Sequence, residues 1–374
     1  MDNSLKKTNR LWRLIDTGLR PAAENIAINR SMLEAHQLGH VTNTLRFLRY
    51  KPSALLGYHQ SAQQELHVDY CKNNNIAIQR RITGGGAIYF DTTQIGWELY
   101  FDKQFFETAK MDDISARVCT AAASGISALG VDAKFRPRND IEVNGKKISG
   151  TGGSFDGSSV LYQGTLLIEF DVEKMLRVLR IPIEKLTDKA IESARDRVVN
   201  LAYLLGYTPS MEEVKSSMVA AFKREFEIDF EQCDRFGEQE NLLYESALAE
   251  IDDEAWINLI DSPRQDMPAV TEIHRCDGGT LRVSIILGSV ALRLKQIWIN
   301  GDFFVSPKRA VVDLEACLKN VAIVDVKNIV EGFFSQHEVE FLQMTGLDIY
   351  AAIKKAISVA QDKSKAKDSV LADG

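Results

Sequence analysis

"RRITGGGAIYFD", residues 80–91, sets two arginines ahead of three consecutive glycines and then a strand-like run. Glycine permits positive φ and puts no side chain between a ligand and the backbone. Gly84, Gly85 and Gly86 can therefore turn main-chain N–H groups toward anionic oxygens, as many phosphate cradles do. Arg80 and Arg81 add fixed guanidinium donors suited to phosphate or carboxylate. A tight turn flanked by solvated arginines is the plainer alternative, and this stretch alone does not separate the two.

A second stretch, "NDIEVNGKKISG" (139–150), sharpens the question. Asn144-Gly145 predicts a two-residue hairpin turn. Along the strand that follows, side chains alternate, so Lys147 and Ser149 share one face while Lys146 and Ile148 share the other. Ile148 seeks the core. Lys147 then looks away from it, and in a cleft its ammonium could neutralise charge developing on a phosphoryl oxygen. A solvated hairpin lysine is the alternative. Asp140, across the hairpin, is a candidate to orient that lysine or to hold Mg²⁺, and an exposed carboxylate at a strand start is the plain reading.

Working outward, "ENIAINRSMLEAHQLG" (24–39) carries Ile28, Met32 and Ala35 at helical spacing, with Gly39 as the stop. "TLRFLRYKPSALLGYHQ" predicts two short strands broken near Pro52, and "AIYFDTTQIGWELYFD" two buried strands about a turn near Thr93. In "DISARVCTAAASGISALG", Ile114, Val118, Ala122 and Ile126 share a helical face, with Gly130 as the cap. "VLYQGTLLIEF" (160–170) is another strand, and residues 172–224 are mainly helical. Strands before helices, unevenly spaced, predict a mixed α+β catalytic domain with sheets flanked by helices, not a regular βαβ repeat.

Acidic clusters and two prolines in "LAEIDDEAWINLIDSPRQDMPAV" place a domain boundary near residue 263. The expected domains are 1–262 and 263–360, followed by a frayed polar tail, 361–374. In the second domain "TLRVSIILGSVALRLKQIWINGDFFV" predicts three strands turning at Gly288-Ser289 and Asn300-Gly301, with helices near 313–318, 325–334 and 346–359. It is a small α+β unit.

The net charge of −7 argues against nonspecific nucleic-acid binding. Five scattered cysteines with no CxxC pair argue against a disulfide scaffold or a cysteine-rich zinc site. The amino terminus lacks a secretion signal's apolar core, and no segment has the length and apolarity of a membrane span. A cytoplasmic protein with no membrane or nucleic-acid partner is expected.

The two motifs together resemble the lipoate–protein ligase family of the biotin/lipoate ligase superfamily. Its pattern is matched by Arg80, Arg81, Thr83, Gly84 to Gly86, Ala87, Ile88 and Tyr89, then Asn139, Asp140 and Lys147 to Gly150. "ENIAINRSML", "LLGYHQ", "YQGTLLIEFD" and "SARDRVVNLAYLL" extend the likeness over about residues 24–206. Residues 270–355 resemble the accessory domain of many such ligases. The resemblance implies that ATP and lipoate form lipoyl-AMP, and that the lipoyl group then passes to a lysine of an acceptor protein. The acceptor would be a lipoyl domain, the glycine-cleavage H protein or a specialised lipoate-binding protein of sulfur oxidation.

By the same resemblance, Arg81 and the backbone of Gly86, Ala87, Ile88 and Tyr89 hold nucleotide phosphates, with Mg²⁺ accompanying ATP. Lys147 is catalytic, contacting the lipoyl carbonyl and α-phosphate. Arg80, Thr83, Gly84, Gly85, Asn139, Asp140, Ser149, Gly150, Gln163 and Gly164 form the lipoate and adenylate pocket. Phe90 and Gln163 stand where the family commonly has histidine, and the usual Gly-Asn after Asp91 is missing. Related octanoyl- and lipoyl-transferases need no ATP, and those most like the ligases use an acyl-accepting cysteine. "KISGTGGSFDGSSVLYQG" (147–164) has none. A non-catalytic lipoate-binding homologue is the remaining alternative. Biotin–protein ligases, more distant, would carry a Gly-Arg-Gly-Arg-type segment.

Overall fold

The computed structural model describes residues 10–372 except 109, 181–187, 265 and 289–291. The chain divides into two compact units. The first runs to Ile257, and the second takes Asn258 onward together with the short segments 58–61 and 84–86. Both are mixed α+β, as the element pattern predicts.

The first unit is built on strands β1 (Leu11–Arg20), β2 (Thr44–Tyr50), β3 (Ser53–Leu56), β4 (Ala77–Arg80), β5 (Ile88–Phe90), β6 (Gln94–Asp102), β7 (Ala133–Arg136), β8 (Asp140–Val143), β9 (Lys146–Asp156), β10 (Ser159–Leu167) and β11 (Asp229–Gln232). Eight of them form one mixed sheet in the order β11-β1-β2-β6-β10-β9-β8-β7, and β4-β3-β5 form a second. The expected break at Pro52 separates β2 from β3, and so sends the chain from the large sheet to the small one.

Helices α1 (Ala22–Gln37), α2 (Met111–Ser127), α3 (Met211–Phe226) and α4 (Glu238–Ile251) cover the large sheet. Strand alternation sorts the residues they cover. Ile95, Trp97, Leu99 and Phe101 of β6 join Ile114, Val118, Ala122 and Ile126 of α2 and Met218 and Phe222 of α3 in one core. Tyr100 of β6 and Leu161 of β10 point the other way, into a core with Ile26, Ile28 and Met32 of α1 and Ala247 and Ile251 of α4. Both faces of β6 are thus buried. That explains why its sequence reads as a continuous apolar run interrupted only by Glu98.

That glutamate has an internal partner. Glu98 meets Arg46 at 2.9 Å, with both side chains almost wholly buried. Asn29 Nδ2 and the Tyr100 hydroxyl donate to the same carboxylate at 2.6 and 2.7 Å. Arg46 also donates to Thr17 Oγ1 at 2.9 Å and to Asn25 Oδ1 at 2.5 Å. A buried ion pair is tolerable when its remaining lone pairs and protons are engaged like this.

In the second unit, β12 (Val270–Cys276), β13 (Gly279–Leu287), β14 (Arg293–Asp302) and β16 (Val321–Ala322) form an antiparallel sheet, while β15 (Val305–Ser306) pairs with β17 (Glu340–Phe341). Helices α5 (Ala310–Leu318), α6 (Val326–Gln336) and α7 (Gly346–Ala372) share a core with β13 and β14. Two expectations need correction. Asn300-Gly301 does not turn a hairpin: β14 runs straight through it, pairing Asn300 with Arg282 and Gly301 with Leu281. Gly301 serves close approach instead, since a Cβ there would lie 2.0 Å from the Thr280 carbonyl oxygen. The polar tail is not frayed either. With no glycine or proline between Gly346 and Ala372 to stop it, α7 continues to Ala372. The other expected turn, Gly288-Ser289, falls partly outside the described residues.

Candidate functional site

The Asn144-Gly145 turn forms as read, with positive φ at both residues (52° and 76°), and it sets β8 against β9. A register irregularity between Ile141 and Glu142 leaves Ile148 fully buried and pairs Glu142 with Lys147. The backbone of Lys147 is also held from outside the hairpin: its N–H donates to the Arg197 carbonyl at 2.8 Å, and its carbonyl accepts from Val199 N–H at 2.9 Å. The base of the side chain is therefore fixed, while the side chain as a whole is 38% exposed.

That head sits 2.6 Å from Asp140 Oδ1. Arg136 reaches Asp140 Oδ2 at 2.6 Å and Glu142 at 2.9 Å. Burial opposes ionisation of Asp140, but the Lys147 ammonium and the Arg136 guanidinium outweigh it and hold the carboxyl below the usual aspartate range. Gly150 keeps the space: a Cβ there would lie 2.8 Å from Lys147 Nζ. Asn139 pins the approach to β8. Its side-chain amide donates to the Thr151 carbonyl, and its own carbonyl accepts from Thr151 N–H and Oγ1, both at 2.9 Å. Behind it, Thr151, Ser115, Cys119 and Tyr162 form a buried cluster around the Tyr162 hydroxyl, with Ser115 Oγ at 2.7 Å.

The arginine pair splits. Arg80 is fully buried and donates to the carbonyls of Trp256, Gly57 and Ile257 at 3.1, 3.1 and 2.6 Å. Its expected place in a ligand pocket is corrected: this guanidinium ties Ile257 and its neighbours to the small sheet. Arg81 instead donates from Nε to Thr83 Oγ1 at 3.3 Å and from Nη1 to the Leu55 carbonyl at 2.9 Å. Thr83 Oγ1 also accepts from Gln163 Nε2 at 3.0 Å.

Gly164 is a second correction. A Cβ there would lie 2.2 Å from the Trp97 ring, so this glycine serves core packing on the face under α2 and α3. Ser149 is fully buried. The Tyr89 side chain lies in a small apolar core beside Ala54 and Leu56, and Ala87 packs at its edge.

The triple glycine groups with the second unit. Gly85 has φ +91° and donates its N–H to the Phe303 carbonyl at 3.0 Å. A Cβ on Gly84 would lie 2.3 Å from that same oxygen, and one on Gly86 would lie 3.2 Å from Asp302 Oδ2. The expectation of open amides is therefore corrected at Gly85, whose donor is taken by a protein acceptor with a carboxylate close by.

Asp140 does not suit Mg²⁺. Both its oxygens already face cations, Lys147 and Arg136, whose charges repel a further one. No helix among the described residues is long and apolar enough to cross a membrane.

Residues 21–223 match the model of the lipoyl protein ligase A/B catalytic domain, which is more than half of the chain. The chain belongs to this family. A solved structure of a bipartite lipoate protein ligase and its E2 lipoyl domain from Thermoplasma acidophilum aligns with a TM-score of 0.59 at 27% identity, covering 67% of this chain and 98% of that one. A lipoate-protein ligase A bound with ATP aligns with a TM-score of 0.58 at 25% identity, covering 66% and 97%. An octanoyltransferase, LipM of Clostridioides difficile, is 23% identical over 255 residues, covering 63% of this chain and 94% of its own. The protein is thus an enzyme of a family that includes both lipoate ligases and octanoyltransferases.

Proposed function

We propose that this lipoyl ligase family member is an ATP-dependent lipoate–protein ligase. The lipoate carboxylate attacks the α-phosphorus of ATP, forming lipoyl-AMP and releasing pyrophosphate. The ε-amine of an acceptor lysine then attacks the activated carbonyl and AMP leaves. Arg81 and the main-chain amides of residues 86–89 take the nucleotide phosphates. Lys147 meets the lipoyl carbonyl and the α-phosphate, where negative charge builds in the transition state. The single observation that carries this role is the state of Lys147, with its backbone clamped on two sides and its side chain partly exposed, held by Asp140 over a residue without a side chain. Such a cation is positioned before substrate arrives, so little reorganisation is needed at the moment of reaction. Mg²⁺ enters as the counter-ion of ATP.

A ligase is favoured over an acyl-cysteine transferase by the environment of Cys119. Cys119, whose thiol reaches Thr151 and Tyr162, is fully buried, and burial pushes its pKa up. A buried neutral thiol is a poor nucleophile. The acceptor is a lipoyl domain, an H protein or a lipoate-binding protein, and the second unit acts as the accessory domain.

The test is mass spectrometry of candidate lipoyl-domain proteins after incubation with the protein, ATP, Mg²⁺ and lipoate. A mass gain matching the lipoyl group, with pyrophosphate released, is expected. Octanoyl transfer from acyl-carrier protein without ATP would overturn the ligase in favour of the transferase, and release of no pyrophosphate would favour a binding protein.

A further inference from the structure

β10 divides its side chains between two faces. Val160, Tyr162 and Leu166 enter the core under α2 and α3, and Leu161 enters the one under α1. By that parity Gln163 shares the face of Leu161. In register it stands opposite Glu98 of β6, and Glu98 stands opposite Arg46 of β2. One row of polar side chains therefore crosses three strands beneath α1. Its first two members close on each other in the buried ion pair.

The third reaches off the large sheet. Gln163 Nε2 donates to Thr83 Oγ1, in the segment that follows β4 of the small sheet. A hydroxyl oxygen offers two acceptor sites, and here Gln163 and Arg81 Nε fill them. Arg81 is planar, so holding Nε on Thr83 and Nη1 on the Leu55 carbonyl fixes the plane and heading of the whole guanidinium. Without Gln163, Thr83 Oγ1 keeps its bond to Arg81 but loses its anchor to β10.

We propose that Gln163 is a positioning residue for Arg81, acting through the Thr83 hydroxyl and thereby setting the affinity for the nucleotide phosphates. The inference rests on the reading of Arg81 as a phosphate ligand. It gives Gln163 an indirect role, with the amide facing Thr83 and no contact to substrate required. An amide donor does not titrate between pH 5 and 9, so the link holds Arg81 equally well across that range.

Titration calorimetry of the full chain with ATP and Mg²⁺ tests this, read beside the thermal midpoint of each variant. Gln163→Leu should weaken ATP binding about tenfold, the loss of one hydrogen bond in a site that depends on it. Thr83→Val removes both bonds at Oγ1 and should weaken binding at least as much. The double variant should lose no more than Thr83→Val alone, because Gln163 acts only through that hydroxyl. Thr83→Ser, which keeps the hydroxyl, should bind like the unaltered chain. In steady state the KM for ATP should rise while that for lipoate stays constant, a split that a general loss of stability would not produce. Arg81→Ala separates this inference from the reading beneath it. If the unaltered chain binds no ATP, or Arg81→Ala binds it unchanged, the phosphate reading falls and the relay falls with it. If Arg81→Ala weakens binding while Gln163→Leu stays within twofold, or if the two single losses multiply, the relay alone is overturned.

Discussion

Two charge clusters in the first unit use the same chemistry to opposite ends. Arg46 and Glu98 are sealed beneath α1, and Asn25, Asn29, Thr17 and Tyr100 complete their hydrogen bonds. Lys147, Asp140 and Glu142 lie on the β8–β9 hairpin, with Arg136 on the neighbouring β7, and the lysine side chain is 38% exposed. The sealed cluster has every bond it needs from the protein. In the open one, the pair leaves the lysine side chain partly exposed to solvent. The difference teaches that ion-pair distance does not distinguish structure from function here, since both pairs are short. What distinguishes them is whether the partners are closed off from a ligand.

The sharpest way to break this comparison is Glu98→Ala. Leaving Arg46 buried without its carboxylate should cost about 3–5 kcal/mol of stability, read by urea unfolding. A loss under about 1 kcal/mol would mean that the buried cluster is no more structural than a surface pair. Next comes Gly150→Ala. The added methyl would lie 2.8 Å from Lys147 Nζ and push the ammonium aside, so turnover should fall about 10- to 100-fold, as small misplacements of catalytic groups do, with the fold retained by circular dichroism. Unchanged turnover would mean that the lysine has no fixed place.

The smallest expected effect is that of pH. The Asp140 carboxyl is held below its usual range, so its ion pair contributes fully above the ordinary aspartate pKa, about 3.9. That contribution is lost as pH falls through the depressed folded-state value. The thermal midpoint of the unaltered chain should therefore drop more on acidification below about pH 4 than that of Asp140→Asn. Parallel curves would show that the pair is screened by solvent.

Much of this contrast was legible in the sequence, but unevenly. Helical spacing found the buried faces of α1 and α2, and Asn144-Gly145 found the hairpin that carries Lys147, because these signals are local. Asn300-Gly301 carries the same local signal and yet lies inside β14, where pairing with β13 overrides the turn preference. Arg80 and Arg81 are alike in sequence, and only the distant carbonyls of Trp256 and Ile257 separate them. Gly164 looked like part of a ligand motif, but the Trp97 ring across the sheet gives it another purpose. The Arg46–Glu98 cluster was missed. Its signal was available: a lone charge in each of two apolar strand runs, "LRF" and "WEL", with Asn25 and Asn29 one turn apart on a buried helix face.

The account rests on a lysine that serves charge in the reaction and not the core. Its most direct measurement is pyrophosphate release by Lys147→Ala with ATP, Mg²⁺ and lipoate, beside its unfolding midpoint. The expected result is a loss of at least about 100-fold in rate with stability within about 1 kcal/mol of the unaltered chain. A folded variant releasing pyrophosphate at a near-normal rate would contradict it.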